Sequence, residues 1–142
     1  MTTYSVDKAS VKLAEMFRDA EEKAAEQRGS FTLFGLFEVE DVPGRWELVA
    51  AAPWLKGGSG GIKDLVEIVA AAGEYKSRRQ LSTVVPMKED SDFVEAITRR
   101  YHLEHALEEI GNVYVNGVYI SHAFLITSKP LAASVAAELV AA

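Results

Sequence analysis

Tyr114-Val115-Asn116-Gly117-Val118-Tyr119-Ile120 reads as a β-hairpin almost unaided. Asn-Gly supplies the positive-φ pair that a type I′ turn requires, and apolar residues flank it on both sides. The register follows: Tyr114 stands opposite Tyr119, and Val113 opposite Ile120. Unbroken alternation then places His122 on the same face as Val118, Ile120, Phe124 and Ile126. A histidine on an otherwise apolar face is the chain's nearest approach to a chemical signature.

Upstream of the hairpin, Asp90 or Ser91 opens a helix whose apolar phase slips. Phe93, Ile97 and Tyr101 form one stripe; Leu103, Leu107 and Ile110 form another. A bend near Tyr101-His102 accounts for the slip, with Gly111-Asn112 closing the second part. Before it, Leu81–Val85 reads as a strand stopped by Pro86, and Glu74–Gln80 is polar and unassigned. A helix over Ile62–Ala72 follows the glycine-rich loop Lys56-Gly57-Gly58-Ser59-Gly60-Gly61. Residues 30–40 and 46–52 form a strand pair around the turn Asp41-Val42-Pro43-Gly44. Phe31, Leu33, Phe37 and Val39 fall on one face of the first strand, Phe34 and Leu36 on the other, as in a strand covered on both sides.

Residues 6–28 form the first helix, with Val6, Ala9, Leu13, Met16, Phe17, Ala20 and Ala24 recurring at helical spacing and Gly29 as its stop. Downstream, Pro130 opens an Ala-rich helix carrying Leu131, Val135 and Leu139. The order α-β-β-α-β-α-β-β-α specifies one α+β domain spanning 1–142, with two β-hairpins in a mixed sheet of about five strands and helices packed on it. This layout resembles that of small dimeric adaptor and chaperone domains, in which a sheet lies between an N-terminal and a C-terminal helix. Layout does not fix function.

Composition narrows the function classes. The 142 residues suit a single domain, and 49% hydrophobic with 25% charged residues is ordinary for a globular chain. With no cysteine, disulfides, thiolate catalysis and cysteine zinc sites are excluded. A net charge of −6 opposes non-specific binding to nucleic acid or anionic lipid. Met1-Thr2-Thr3-Tyr4-Ser5 lacks the basic start and apolar run of a signal peptide. No stretch approaches the ~18–20 apolar residues of a membrane span. The expectation is a cytoplasmic protein with no membrane partner, no cofactor and no metal.

The candidate chemistry is sparse. The glycine-rich loop lies between a strand and a helix, where backbone amides can cradle a phosphate, with Lys56 and Lys63 close by. Its spacing matches neither the P-loop nor the dinucleotide fingerprint. His102 and His105, three apart on the expected helix, can converge on one metal, but a third ligand is needed and no zincin-like motif occurs. Ser59 in a glycine run and Ser121 beside His122 make poor nucleophiles. Glu38 and Glu40 share a strand face at a solvated strand end. Lys76, Arg78, Arg79, Arg99 and Arg100 form a basic cluster interleaved with Tyr75, Tyr101 and His102.

Three function classes follow. The leading one is a non-catalytic protein-interaction module that homodimerises through the Ala-rich helix or the Tyr114–Tyr119 face and can bind another protein. The second is a binding or enzymatic domain for a phosphorylated small molecule, held by Lys56, Gly58, Gly60, Lys63, Arg78 and Arg79 with His122 as acid or base. The third is a nucleic-acid accessory protein using the basic residues of 76–100, which the acidic balance disfavours. No catalytic residue is assigned.

Overall fold

The computed structural model describes residues 8–39, 42, 44–72 and 81–130. Among these residues the order is α1 (Lys8–Arg28), β1 (Leu33–Glu38), β2 (Trp46–Ala51), α2 (Ser59–Ala71), β3 (Leu81–Pro86), α3 (Asp92–Arg100), β4 (Glu108–Val115) and β5 (Val118–Ser128). The five strands form one mixed sheet in the order β3-β2-β1-β5-β4. Only β2 and β3 run parallel, joined through α2; the other pairs are antiparallel. The α+β class, the element order and the mixed sheet agree with the sequence reading. The expected C-terminal helix, the segment 74–80 and residues 6 and 7 lie outside the described residues.

β1 is central and its residues are almost all buried, because the two sides of the sheet are covered by different helices. On one side Leu13 and Phe17 of α1 and Leu65 of α2 pack on Phe34, Leu36, Trp46, Leu48, Phe124 and Ile126. On the other, Val94 and Ile97 of α3 pack on Leu33, Phe37, Ala51, Ile110, Ile120 and Leu125. A near-continuous apolar run is what a doubly covered strand demands. Phe31 departs from the expected face. It precedes β1 and stacks edge-on against Phe34, with ring centroids 4.7 Å apart. Gly29 ends α1 at φ +115°, where its N–H donates to the Ala25 carbonyl.

The structure corrects the sequence reading between residues 101 and 112. α3 starts at the expected cap, where Ser91 Oγ accepts from the Val94 N–H, but it ends at Arg100 with Tyr101 already extended. The slip between the two apolar stripes marks the end of the helix rather than a bend in it. Residues 101–107 form a connector, bridged at Leu103 to Ser128. Glu108, Glu109 and Ile110 then pair with Leu125, Phe124 and Ala123, so Gly111-Asn112 lies inside a strand. His102 and His105 therefore do not share a helix.

The hairpin forms as its sequence dictates. Val113 faces Ile120, Tyr114 faces Tyr119, and the turn residues Asn116 and Gly117 have φ of 51° and 76°. The face of His122 is only partly as expected. Ile120 packs in the cluster on the α3 side, whereas His122 lies against the rings of Trp46 and Phe124 on the α1 side. Alternation breaks between Ile120 and His122, beside the stretch of β4 where Asn112 adopts φ +51° and has no ladder partner among the pairs formed with β5. An asparagine tolerates that left-handed conformation, and a simple period-two count cannot anticipate it.

Candidate functional site

The most highly organised polar group in the fold joins three segments distant in sequence. Glu21 of α1 is fully buried. Its Oε1 lies 2.6 Å from Nδ1 of His105, and its Oε2 accepts from the Thr127 hydroxyl at 2.7 Å. The Thr127 oxygen in turn accepts from the His105 backbone N–H at 3.1 Å. Each member thus satisfies the other two, which a buried carboxylate requires.

Two backbone irregularities build this triangle. β5 pairs with β1 through Gly35↔Leu125 and then Phe34↔Thr127, so one extra residue of β5 bulges at Ile126. The bulge brings Thr127 opposite Phe34 and onto the α1 side, where Glu21 waits. His105 adopts φ +51°, an uncommon conformation for a side-chain-bearing residue, held by the bonds on either side of it. Leu103 exchanges backbone bonds with Ser128, and the Ala106 N–H donates to the Ile126 carbonyl. The clasp therefore pins the 101–107 connector along β5.

Its electrostatics follow from the contacts. The hydrogen bond to Glu21 holds the His105 imidazole above its usual pKa against partial burial, with further attraction from Glu21, Glu104 and Glu22. The bond from Lys129 Nζ at 2.8 Å holds Glu104 below the usual carboxylate range. Thr127→Val keeps the volume but strips one donor from Glu21 and one acceptor from the His105 amide. It is expected to cost about 1–2 kcal/mol in urea denaturation.

A second glutamate–histidine pair lies on the sheet. His122 Nε2 stands 2.6 Å from Glu109 Oε2, with the ring 8% exposed in the residue as a whole and packed beside Trp46 and Phe124. Trp46 is fully buried and donates from Nε1 to Ser10 Oγ. His122 is thus interior, as the sequence implies, and its acidic partner comes from β4.

The structure does not bring His122 to the glycine-rich segment. That segment follows the Ala51 end of β2, whereas His122 neighbours Ala123, which pairs with Phe37 near the Trp46 end. The two are about 17 Å apart along the strand. Nor is the segment a free loop: α2 begins at Ser59, so Gly60 and Gly61 are helical. Gly58 caps α2, Lys56 lays its stem over Gly60, and Lys63 is exposed on the helix. Beside the segment is a hollow of about 580 Å³ that gathers Lys56 and Lys88 but also Glu89 and Asp90, so its field is mixed. Arg78 and Arg79 lie outside the described residues. Of the later basic residues, Arg99 stands 3.9 Å from Glu95, and Arg100 donates to the Tyr114 carbonyl while lying over the Tyr101 ring.

A feature that sequence reasoning missed lies at the opposite end of the sheet. β5 is 11 residues long, but its pairing with β1 ends at Ala123, opposite Phe37. β1 itself ends one residue later, at Glu38. Near this end of the sheet lies a groove of about 350 Å³ lined by Phe37, Val39, Val49, Phe93, Val118, Tyr119 and Ile120 together with Glu38 and Glu47. Val118 and Tyr119 are 48% and 41% exposed. The unequal lengths of the two strand patterns were the available signal, but which strand would neighbour which was not.

Comparison with family models, curated proteins and solved structures finds no match to this chain. No helix among the described residues is long and apolar enough to cross a membrane.

Proposed function

We propose that this chain is a protein-interaction module that works by binding a partner rather than by catalysis, and that the groove beside the end of β1 and the start of β5 is its binding surface. The supporting observation is the groove itself: an apolar floor that stays open, with exposed Val118 and Tyr119 at its lip and two glutamates in its walls. Exposed apolar side chains gathered around a concavity favour a protein ligand. The glutamates favour a segment carrying Lys or Arg, as does the overall charge of −6. Both glutamate–histidine pairs have structural work to do: one clasps the connector, the other fills the sheet beside Trp46.

Homodimerisation belongs to the same proposal. The paired rings of Tyr114 and Tyr119, tilted with centroids 5.1 Å apart and with Tyr114 68% exposed, are the face offered to a second copy. The outer edge of β4 is less suited. Arg100 occupies the Tyr114 carbonyl, Asn112 bends the strand, and Glu108 and Glu109 would face their own copies.

Selection of short random peptides displayed on phage tests the groove. Enriched peptides are expected to shift the NMR signals of Phe37, Val49, Phe93 and Ile120, and to lose binding to Val118→Asp. No enrichment above the bare support, or binding indifferent to Val118→Asp, would overturn the reading. Light scattering tests the dimer, which Tyr114→Ser is expected to weaken.

A further inference from the structure

Resting on that reading of the groove, we infer what anchors its ligand: the side chain of one lysine or arginine of the partner protein, its alkyl stem laid on the apolar floor and its cationic head on the carboxylate of Glu47. Phe37 pairs with Glu47 across β1 and β2, and direct neighbours across a ladder share a face. Phe37 and Val49 pack on the α3 side, so Glu47 points to that side as well. It enters the groove there with Phe37, Val49, Phe93 and Ile120. The other carboxylate of the groove is already engaged: Glu38 accepts from the Gly44 N–H at 3.0 Å. Glu47 is half-buried, and among the described residues none donates a hydrogen bond to its carboxylate or forms an ion pair with it. Arg45, two residues before it, is exposed and leaves it unpaired.

A carboxylate partly shielded by apolar walls gains more from an incoming cation than an exposed one does, because screening and competing water are both reduced. The rest of the hollow fits the stem. Its lining includes Val49, Ile120 and Val118, the last 48% exposed. Lysine and arginine bury their methylene stems along such a surface while the head reaches a polar group. Phe37 and Phe93 meet edge to face, with centroids 5.9 Å and planes 65° apart, so two aromatic walls at a steep angle border the same space. A cation that reaches either ring face gains further attraction. An apolar side chain would cover the floor and leave Glu47 bare, and an acidic one would meet two carboxylates. The site thus selects stem and charge together.

The test uses the peptides enriched by phage selection, with copies in which each Lys or Arg is replaced in turn by norleucine. Fluorescence anisotropy measures their binding to the wild type, Glu47→Gln and Glu15→Gln. Every enriched peptide is expected to carry a Lys or Arg whose replacement weakens binding by at least about tenfold, the size of a charge-assisted hydrogen bond. Glu47→Gln keeps the shape of the side chain. It is expected to weaken the parent peptide to the same degree, and to bind parent and norleucine copy alike. Glu15→Gln removes the same charge from an exposed position of α1 and is expected to bind as the wild type does. Enriched peptides without Lys or Arg, or norleucine copies that bind as tightly as their parents, overturn the anchor and leave the groove as an apolar binding surface. A preference for the basic residue that survives in Glu47→Gln overturns the assignment of its partner. An equal loss in Glu15→Gln makes the effect one of overall charge and overturns the anchor too. Failure to enrich any peptide removes the interaction reading as a whole, and the anchor with it.

Discussion

His105→Ala is expected to destabilise the fold by about 2–3 kcal/mol, although the residue sits in a connector. The reason is what it leaves behind. Glu21 is fully buried, and its Oε1 would face a void where Nδ1 now stands at 2.6 Å. Breaking one side of a fully buried ion pair costs about 3–5 kcal/mol. The lower figure applies here because the His105 side chain is 32% exposed, so water can reach part of the site. Glu21→Gln retains a polar group of the same shape and is expected to cost less than His105→Ala. Combined with Thr127→Val, His105→Ala should show less than additive loss, since both variants act on the same carboxylate.

The pH dependence of that loss has a definite sign. The His105 pKa is raised in the folded protein by its bond to Glu21. A raised folded value means that the stabilisation is complete below the unfolded histidine pKa of about 6.5 and declines as pH rises through the folded value. The stability difference between the wild type and His105→Ala should therefore be larger at about pH 6 than at about pH 8.5. Urea denaturation of both proteins at the two pH values reads it directly, and histidine NMR titration locates the transition. A difference that does not change between them would mean that the clasp is a hydrogen bond without a proton-linked component.

Local patterns carried most of the architecture. Asn116-Gly117 set the final hairpin and its register, and Ser91 marked the start of α3, because turns and caps are written in a few adjacent residues. Features that depend on two distant segments were not legible. Glu21 carries no signal in the sequence beyond being one of two adjacent carboxylates, since its burial arises only when the 101–107 connector folds over it. The phase slip at Tyr101 was visible, but a bent helix and a helix followed by an edge strand produce the same slip. The bulge at Ile126 that re-aims Thr127, and the irregular stretch beside Asn112 across which Ile120 and His122 fall on different faces, break alternation inside strands with ordinary composition. The groove required the neighbour of β5 to be known, and that depends on the fold rather than on either strand.

Gly61→Ala is expected to destabilise the protein by about 3 kcal/mol, the largest effect of any single methyl group in the glycine-rich segment. A Cβ at Gly61 would stand 2.0 Å from the Lys56 carbonyl oxygen and 2.8 Å from Pro86 Cβ. A backbone oxygen cannot swing aside as a side chain can, so the start of α2 or the end of the preceding turn must move. Neighbouring glycines supply the contrast. Gly58 adopts φ +64° and ψ −150°, a region open essentially to glycine alone, with nothing within 4 Å of an added Cβ, so alanine there meets backbone strain alone, about 2 kcal/mol. At Gly60 the nearest atoms are the Cβ and Cδ of Lys56, both 3.3 Å away on a flexible side chain, and alanine improves helix propensity. The expected order of loss is Gly61, then Gly58, then Gly60. An anion cradle predicts something different: inorganic phosphate would raise the melting temperature of the wild type, and Gly58→Ala and Gly60→Ala would erase that rise whatever their effect on stability. Close packing predicts no phosphate-dependent rise in any of the four proteins. The two explanations of the same run of glycines are therefore separated by one thermal series with and without phosphate.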